Sequence, residues 1–253
     1  MKFSFFATAA GVLLVAVLPL RAEWHLEDSR HLSAPGAPVA FYQKTVSDGS
    51  IAELRVVFFD SKKCGLKVID NASGDDDLAA AMERTGCLAG VNGNYFHPDR
   101  TPLGLVVSDG KTVHPQERAK LLSGMLTATR DRISLLRTAE FQPDPKITQA
   151  LQAGPFLVDH GVPVTGLNDT RRAERTVVLS DGGGHCALLV CSSPVTLAGM
   201  ARILSSQGVI SEMHVVRALN LDGGSSTAFW VKEPPFYRRE FKTVRNFLGV
   251  VLK

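Results

Sequence analysis

The stretch Ala218-Leu219-Asn220-Leu221-Asp222-Gly223-Gly224-Ser225-Ser226-Thr227-Ala228-Phe229-Trp230 decides how this chain is read. An apolar strand (Val215, Val216, Ala218, Leu219, Leu221) runs into Asp222, then two glycines, then three hydroxyl residues. Adjacent glycines free the backbone for φ > 0 and let a ligand approach the main chain closely. A carboxylate ending a buried strand, beside open N–H groups and hydroxyls, suits a charged catalytic group. Asp-Gly and Gly-Gly are also ordinary turn dipeptides, so this segment alone serves a turn as well as a site.

Working outward, the chain is mostly strand. Residues 39–46 and 51–59 read as a hairpin around Ser47-Asp48-Gly49-Ser50, with a further strand at 65–69. Residues 75–85 read as a helix with an acidic first turn. Residues 196–207 read as an amphipathic helix N-capped by Ser193 or Thr196 and ended by Gly208. Short strands are expected at 88–92, 104–108, 121–128, 132–136, 148–152 and 156–158, with a hairpin of 175–180 and 185–191 and closing strands at 214–221, 226–231 and 244–252. Residues 23–38 look irregular. Without regular βαβ alternation, the expected fold is α+β, a mixed β-sheet core with a few helices in a single domain. Within it, residues 23–84 supply N-terminal strands and a helix that pack on a main domain of residues 85–253.

The first 22 residues carry the marks of a signal peptide: Lys2, an apolar run from Phe3 to Leu18, and Leu20-Arg21-Ala22 before Glu23. The competing reading is an uncleaved anchor, for which the run is short. A periplasmic or secreted protein without stable membrane insertion is therefore expected. Loss of Lys2 and Arg21 lowers the formal net charge from +3 to +1, and no basic block remains to attract nucleic acid. Four cysteines in an exported chain suggest disulfides. Cys64 and Cys87 are the candidate pair, while Cys186 and Cys191, five apart in a strand, send their side chains to opposite faces.

Three further segments carry polar groups at strand ends. Asn92-Gly93-Asn94-Tyr95-Phe96 offers carboxamides and aromatic faces suited to a sugar. Arg175-Thr176, preceded by Arg171 and Arg172, places a guanidinium fork before a buried strand, where it suits phosphate or carboxylate. Arg245-Asn246 repeats that arrangement before the last strand. His97 is the one histidine set beside this chemistry. The alternation of Asn71, Ser73, Asp75 and Asp77 falls short of a calcium loop because Met82 stands where a Glu is needed. No metal site is expected, beyond weak divalent-cation binding at an Asp-rich turn.

Taken together, Asn92 to Phe96, Gly104 with Asp109-Gly110, Gly154-Pro155, Arg175-Thr176, Asn220 to Ser226 and Arg245-Asn246 resemble the phosphodiester glycosidase family over about 85–252. The sequence departs from the family's frequent pattern at Asn94, Tyr95 and Ser225. The resemblance implies hydrolysis of a sugar-1-phosphodiester, with a glycan or glycolipid as substrate and no cofactor. It further implies Asp222 as nucleophile or base, Arg175 and Arg245 as catalytic phosphate ligands, and Asn92, Asn94, Tyr95, Gly223, Gly224, Ser225 and Asn246 as the substrate-binding set. A phosphate monoester leaves readily, so the second carboxylate of ordinary glycosidases is dispensable. Two alternatives are a carbohydrate-binding envelope protein without turnover and a phosphodiesterase cleaving P–O.

Overall fold

The computed structural model describes residues 23–253; the expected signal peptide lies outside the described residues. The chain opens with strands β1 (His25–His31), β2 (Val39–Ser47), β3 (Ile51–Asp60) and β4 (Cys64–Asp70), then helix α1 (Leu78–Arg84). Strands β5 (Ala89–Asn92), β6 (Val106–Ser108), β7 (Lys111–His114), β8 (Gly124–Ala128), β9 (Ile133–Arg137), β10 (Gln149–Ala153), β11 (Phe156–Asp159) and β12 (Val162–Pro163) follow. The remainder comprises β13 (Ala173–Ser180), β14 (His185–Val195), α2 (Leu197–Ser205), β15 (Arg217–Asn220), a 3-10 turn (Gly224–Ser226), β16 (Phe229–Val231), β17 (Phe236–Arg238) and β18 (Asn246–Leu252).

These strands form three sheets: β1-β2-β3-β14-β13-β15-β11-β12, β7-β6-β10-β8-β9 and β17-β16-β5-β18-β4. Every strand pair among the described residues is antiparallel, so the expected mixed sheet is replaced by three antiparallel ones. The physical reason is burial on both faces. β8 and β10 are buried throughout, as are Arg175 to Ser180 of β13, so their apolar runs lack the period-two alternation that marks a sheet with one wet face. The N-terminal segment is woven into the sheets: β3 pairs with β14, and β4 with β18. Residues 25–31, expected to be irregular, form an edge strand whose seven side chains are all exposed.

One face of the large sheet packs against both small sheets, with Phe41, Val57, Val178, Leu188 and Leu219 meeting Leu126, Leu151, Val91 and Leu248. Its other face is covered by α2 through Met200, Ile203 and Leu204. The outer face of the third sheet carries α1 through Leu78, Ala81 and Met82. Both helices start where the sequence supplies a cap. Asp77 accepts the Ala80 N–H and Thr196 the Gly199 N–H, each at 2.9 Å. The acidic run at 75–77 thus precedes α1 instead of forming its first turn.

The cysteines are all unpaired and buried. Cys64 faces the central core and Cys87 the core beneath α1, on opposite sides of the third sheet. Geometry therefore overturns the expected Cys64–Cys87 bridge, since the two thiols point apart. Cys186 and Cys191 likewise face opposite sides of the large sheet, as their odd spacing predicts.

Candidate active site

The four polar segments converge where the ends of β5, β13, β15 and β18 meet, although they are spread over more than 150 residues of sequence. Main-chain bonds draw them together: the Asp222 N–H donates to Gly93 O at 3.2 Å and the Gly93 N–H to Asn246 O at 2.8 Å. Side chains complete the frame. Asn92 donates from Nδ2 to Asp222 O at 2.8 Å, while its Oδ1 accepts from the Thr176 hydroxyl at 2.7 Å and the Ala228 N–H at 3.1 Å. Asn94 and Asn246 bond reciprocally: Asn246 Nδ2 donates to Asn94 Oδ1 at 2.7 Å, and the Asn94 N–H donates to Asn246 Oδ1 at 3.0 Å. Asn94 Nδ2 spends its protons on the carbonyls of Leu103 and Gln152.

These three asparagines are buried and committed to protein partners, so they build the site's frame and do not face a ligand. Gly93 is required by this packing, because a Cβ there would collide with the Asn246 side chain. Asn220 joins the same frame, donating to the Tyr95 hydroxyl at 2.8 Å, while that hydroxyl donates to Gly154 O at 2.7 Å.

The frame opens into a pocket of about 310 Å³ lined by Tyr95, Arg171, Arg175, Asp222, Gly223 and Gly224, with Leu121, Asn168, Ala173 and Leu197 completing the wall. Asp222 is the one carboxylate among the lining residues. Its Oδ1 accepts the Gly223 N–H at 2.8 Å, and the Ser226 hydroxyl bonds to it as well. Burial raises the Asp222 pKa above its ordinary value, outweighing those two hydrogen bonds and the nearby Arg171 charge. Gly223 packs against the Glu174 carbonyl, where a Cβ would come within 2.6 Å, and Gly224 has φ +62°. Behind this turn Arg238 donates to Thr227 O at 2.8 Å and pairs with Glu174, bracing it from the side away from the pocket.

Arg175 is 8 % exposed, donating to Val195 O at 3.0 Å and Arg171 O at 2.8 Å. The ion pairs found among the described residues do not include Arg175. Burial lowers its pKa from the ordinary arginine value. Burial and then Asp222 push the Tyr95 phenol up, and the Asn220 hydrogen bond, then Arg175 and Arg171, pull it back.

Arg245 does not line this pocket; its guanidinium binds the Asp70 carboxylate on the neighbouring strand, where β18 pairs with β4. The second cation in the pocket is Arg171, four residues before the motif arginine in sequence and on an exposed loop. Ser225 does not line the pocket, its carbonyl accepts the N–H groups of Phe241 and Lys242, and Ser226 supplies the hydroxyl on Asp222. His97 is exposed and lies outside the pocket. Among the described residues no group of three or more His, Cys, Asp or Glu is arranged to hold a metal ion. In the acidic turn Asp76 is tied to Arg84 and Asp77 to the start of α1.

The sequence and the antiparallel three-sheet fold both match a known class. The phosphodiester glycosidase family model matches residues 85–251, well over half of the sequence, and the chain belongs to that family. Among solved structures, it resembles the catalytic domain of zebrafish N-acetylglucosamine-1-phosphodiester alpha-N-acetylglucosaminidase, auto-inhibited by its pro-peptide. The TM-score is 0.64 at 15% identity, covering 90% of this chain and 88% of that one. A hypothetical protein from Synechocystis gives a TM-score of 0.59 at 15% identity, covering 91% of this chain and 68% of that one. No curated protein matches the sequence. No helix among the described residues is long and apolar enough to cross a membrane.

Proposed function

We propose that the protein is an exported hydrolase that cleaves a sugar-1-phosphodiester at the anomeric C–O bond. One observation carries the reading: a buried guanidinium without a carboxylate partner, Arg175, lines the same pocket as the partly buried carboxylate of Asp222. A buried charge needs a counter-ion, and here the substrate's phosphate supplies it.

In this scheme Asp222, ionised, takes a proton from water as the water oxygen bonds to the anomeric carbon. The C–O bond to phosphate breaks, and its electron pair leaves with the phosphate, whose charge Arg175 and Arg171 stabilise. The products are free sugar and a phosphomonoester, and Asp222 passes its proton to solvent. The Ser226 hydroxyl and the Gly223 N–H orient the carboxylate. The framework asparagines hold the turn bearing it in register with β5 and β18. No acid is needed at the leaving oxygen, which matches a pocket lined by one carboxylate. Export rests on the leader-like residues 1–22, and it places the enzyme in the periplasm or outside the cell.

The test is hydrolysis of an N-acetylglucosamine-1-phosphodiester in water enriched in heavy oxygen. Label on the anomeric hydroxyl supports glycosidic cleavage, while label on the phosphate makes the protein a phosphodiesterase. Substrate that binds without turnover makes it a carbohydrate-binding protein.

A further inference from the structure

Beside the pocket wall at Leu121 lies a second cleft. Leu121, which lines the pocket, is 40% exposed and belongs to a loop whose other residues line this cleft of about 690 Å³. That cleft carries Arg118 and Lys120, both exposed, and Arg171 stands exposed at the pocket itself. None of these three cations enters an ion pair found among the described residues. One acid, Glu117, also lines the cleft, 3.6 Å from His114, and Asp169 pairs with Arg202 at 3.3 Å.

A protein of formal charge only +3 thus gathers three exposed cations and the buried Arg175 along two clefts whose linings hold two carboxylates, Asp222 and Glu117. A single phosphodiester bears one negative charge, which Arg175 and Arg171 already match. Arg118 and Lys120 exceed that need and outnumber Glu117, and they lie along a cleft, not at a point.

We infer that the substrate is a polyanionic glycan, a chain of sugar units joined by phosphodiesters, with the phosphates flanking the scissile one lying in the Arg118–Lys120 cleft. The inference rests on reading the pocket as a phosphodiester glycosidase site. Each cleavage follows the balance given above and leaves a shorter chain ending in a phosphomonoester and a new free sugar end. Because the flanking contacts are exposed, they act through screened attraction, strengthening encounter and hold without touching the reacting atoms.

The experiment uses the full mature chain and two substrates of one sugar: a methyl phosphodiester of N-acetylglucosamine-1-phosphate and a poly(N-acetylglucosamine 1-phosphate). Wild type should show a higher kcat/KM per cleavable bond on the polymer, and raising salt from low to moderate levels should erase most of that preference. In Arg118→Gln/Lys120→Gln the ratio of polymer to methyl-ester kcat/KM should fall roughly five- to tenfold, the scale of two exposed charge contacts. The melting temperature of this surface variant should not move. Calorimetric binding of intact polymer to Asp222→Asn, with and without the two Gln substitutions, reads the cleft without turnover. Polymer binding that weakens with salt and with the double substitution supports the inference even if neither substrate is hydrolysed, a result that would sink the glycosidase reading alone. Hydrolysis of the methyl ester with no polymer preference and no effect of the double substitution overturns the inference and leaves the glycosidase reading intact. Equal binding of a single-stranded oligonucleotide overturns it too, reducing the cleft to an unselective cation patch.

Discussion

Two arginines open apolar strands in this protein, both about 8 % exposed, and they do opposite work. Arg245 opens β18 with Asp70 beside it on β4, so its charge is neutralised inside the protein and it ties two strands together. Arg175 lies in β13 with carbonyls as its protein acceptors, and in the proposed function its charge is met by the substrate's phosphate. The local sequence is nearly the same, Arg-Thr in one case and Arg-Asn in the other. What separates the proposed phosphate ligand from the structural arginine is a carboxylate supplied from elsewhere in the chain. Functional charge is charge the fold leaves unspent.

The largest expected effect is at the carboxylate that shares the pocket with Arg175. Asp222→Asn should lower kcat by about 10²–10⁴-fold, the range for removal of a general base. Its stability should not suffer. Burial raises the folded-state pKa of Asp222, so the folded protein holds that proton more tightly than the unfolded chain. This contribution to stability is therefore lost as pH rises from the unfolded value, about 3.9, through the raised one. At neutral pH Asp222→Asn should then melt no lower than wild type, which calorimetry would check.

Next is Arg175→Met, which should cost about 10²–10³-fold in kcat/KM, the range for losing a preorganised stabiliser of developing negative charge. Melting should barely change, since no carboxylate is orphaned. Arg245→Met should do the reverse. Activity per folded molecule is retained, while urea unfolding shows a loss of about 1–3 kcal/mol from the stranded Asp70 carboxylate, which is itself partly exposed. Equal losses of activity in the two variants would break the distinction between the arginines.

A smaller effect is the pH profile. Because Asp222 must be ionised to accept a proton, kcat/KM should fall on the acid side through a midpoint above the ordinary carboxylate value, and that limb should vanish in Asp222→Asn. The smallest effect is on the thiols. With Cys64 and Cys87 on opposite faces of one sheet, a reductant should leave the melting temperature unchanged.

Much of the site was legible in the sequence because strand ends advertise themselves. Asp222-Gly223-Gly224 and Asn92-Gly93-Asn94 each break an apolar run with small and polar residues, and the structure brings both together. Partners were not legible. Nothing local to Arg245 reveals Asp70, 175 positions away, and nothing local to Asn92 or Asn94 shows that their amides face inward. Arg171 carried a faint signal, an arginine four residues before the motif one. Sheet direction was hidden because strands such as β8 and β10 are buried on both faces and lose their alternation. The face each cysteine takes across separate strands is likewise a property of three-dimensional register, whereas within one strand parity placed Cys186 and Cys191 correctly.

The most direct test of the central claim is calorimetric binding of N-acetylglucosamine-1-phosphate to wild type, Arg175→Met and Arg245→Met. If Arg175 is the charge left for the ligand, binding disappears in Arg175→Met and persists in folded Arg245→Met. Binding that survives loss of Arg175 and fails with loss of Arg245 would contradict it.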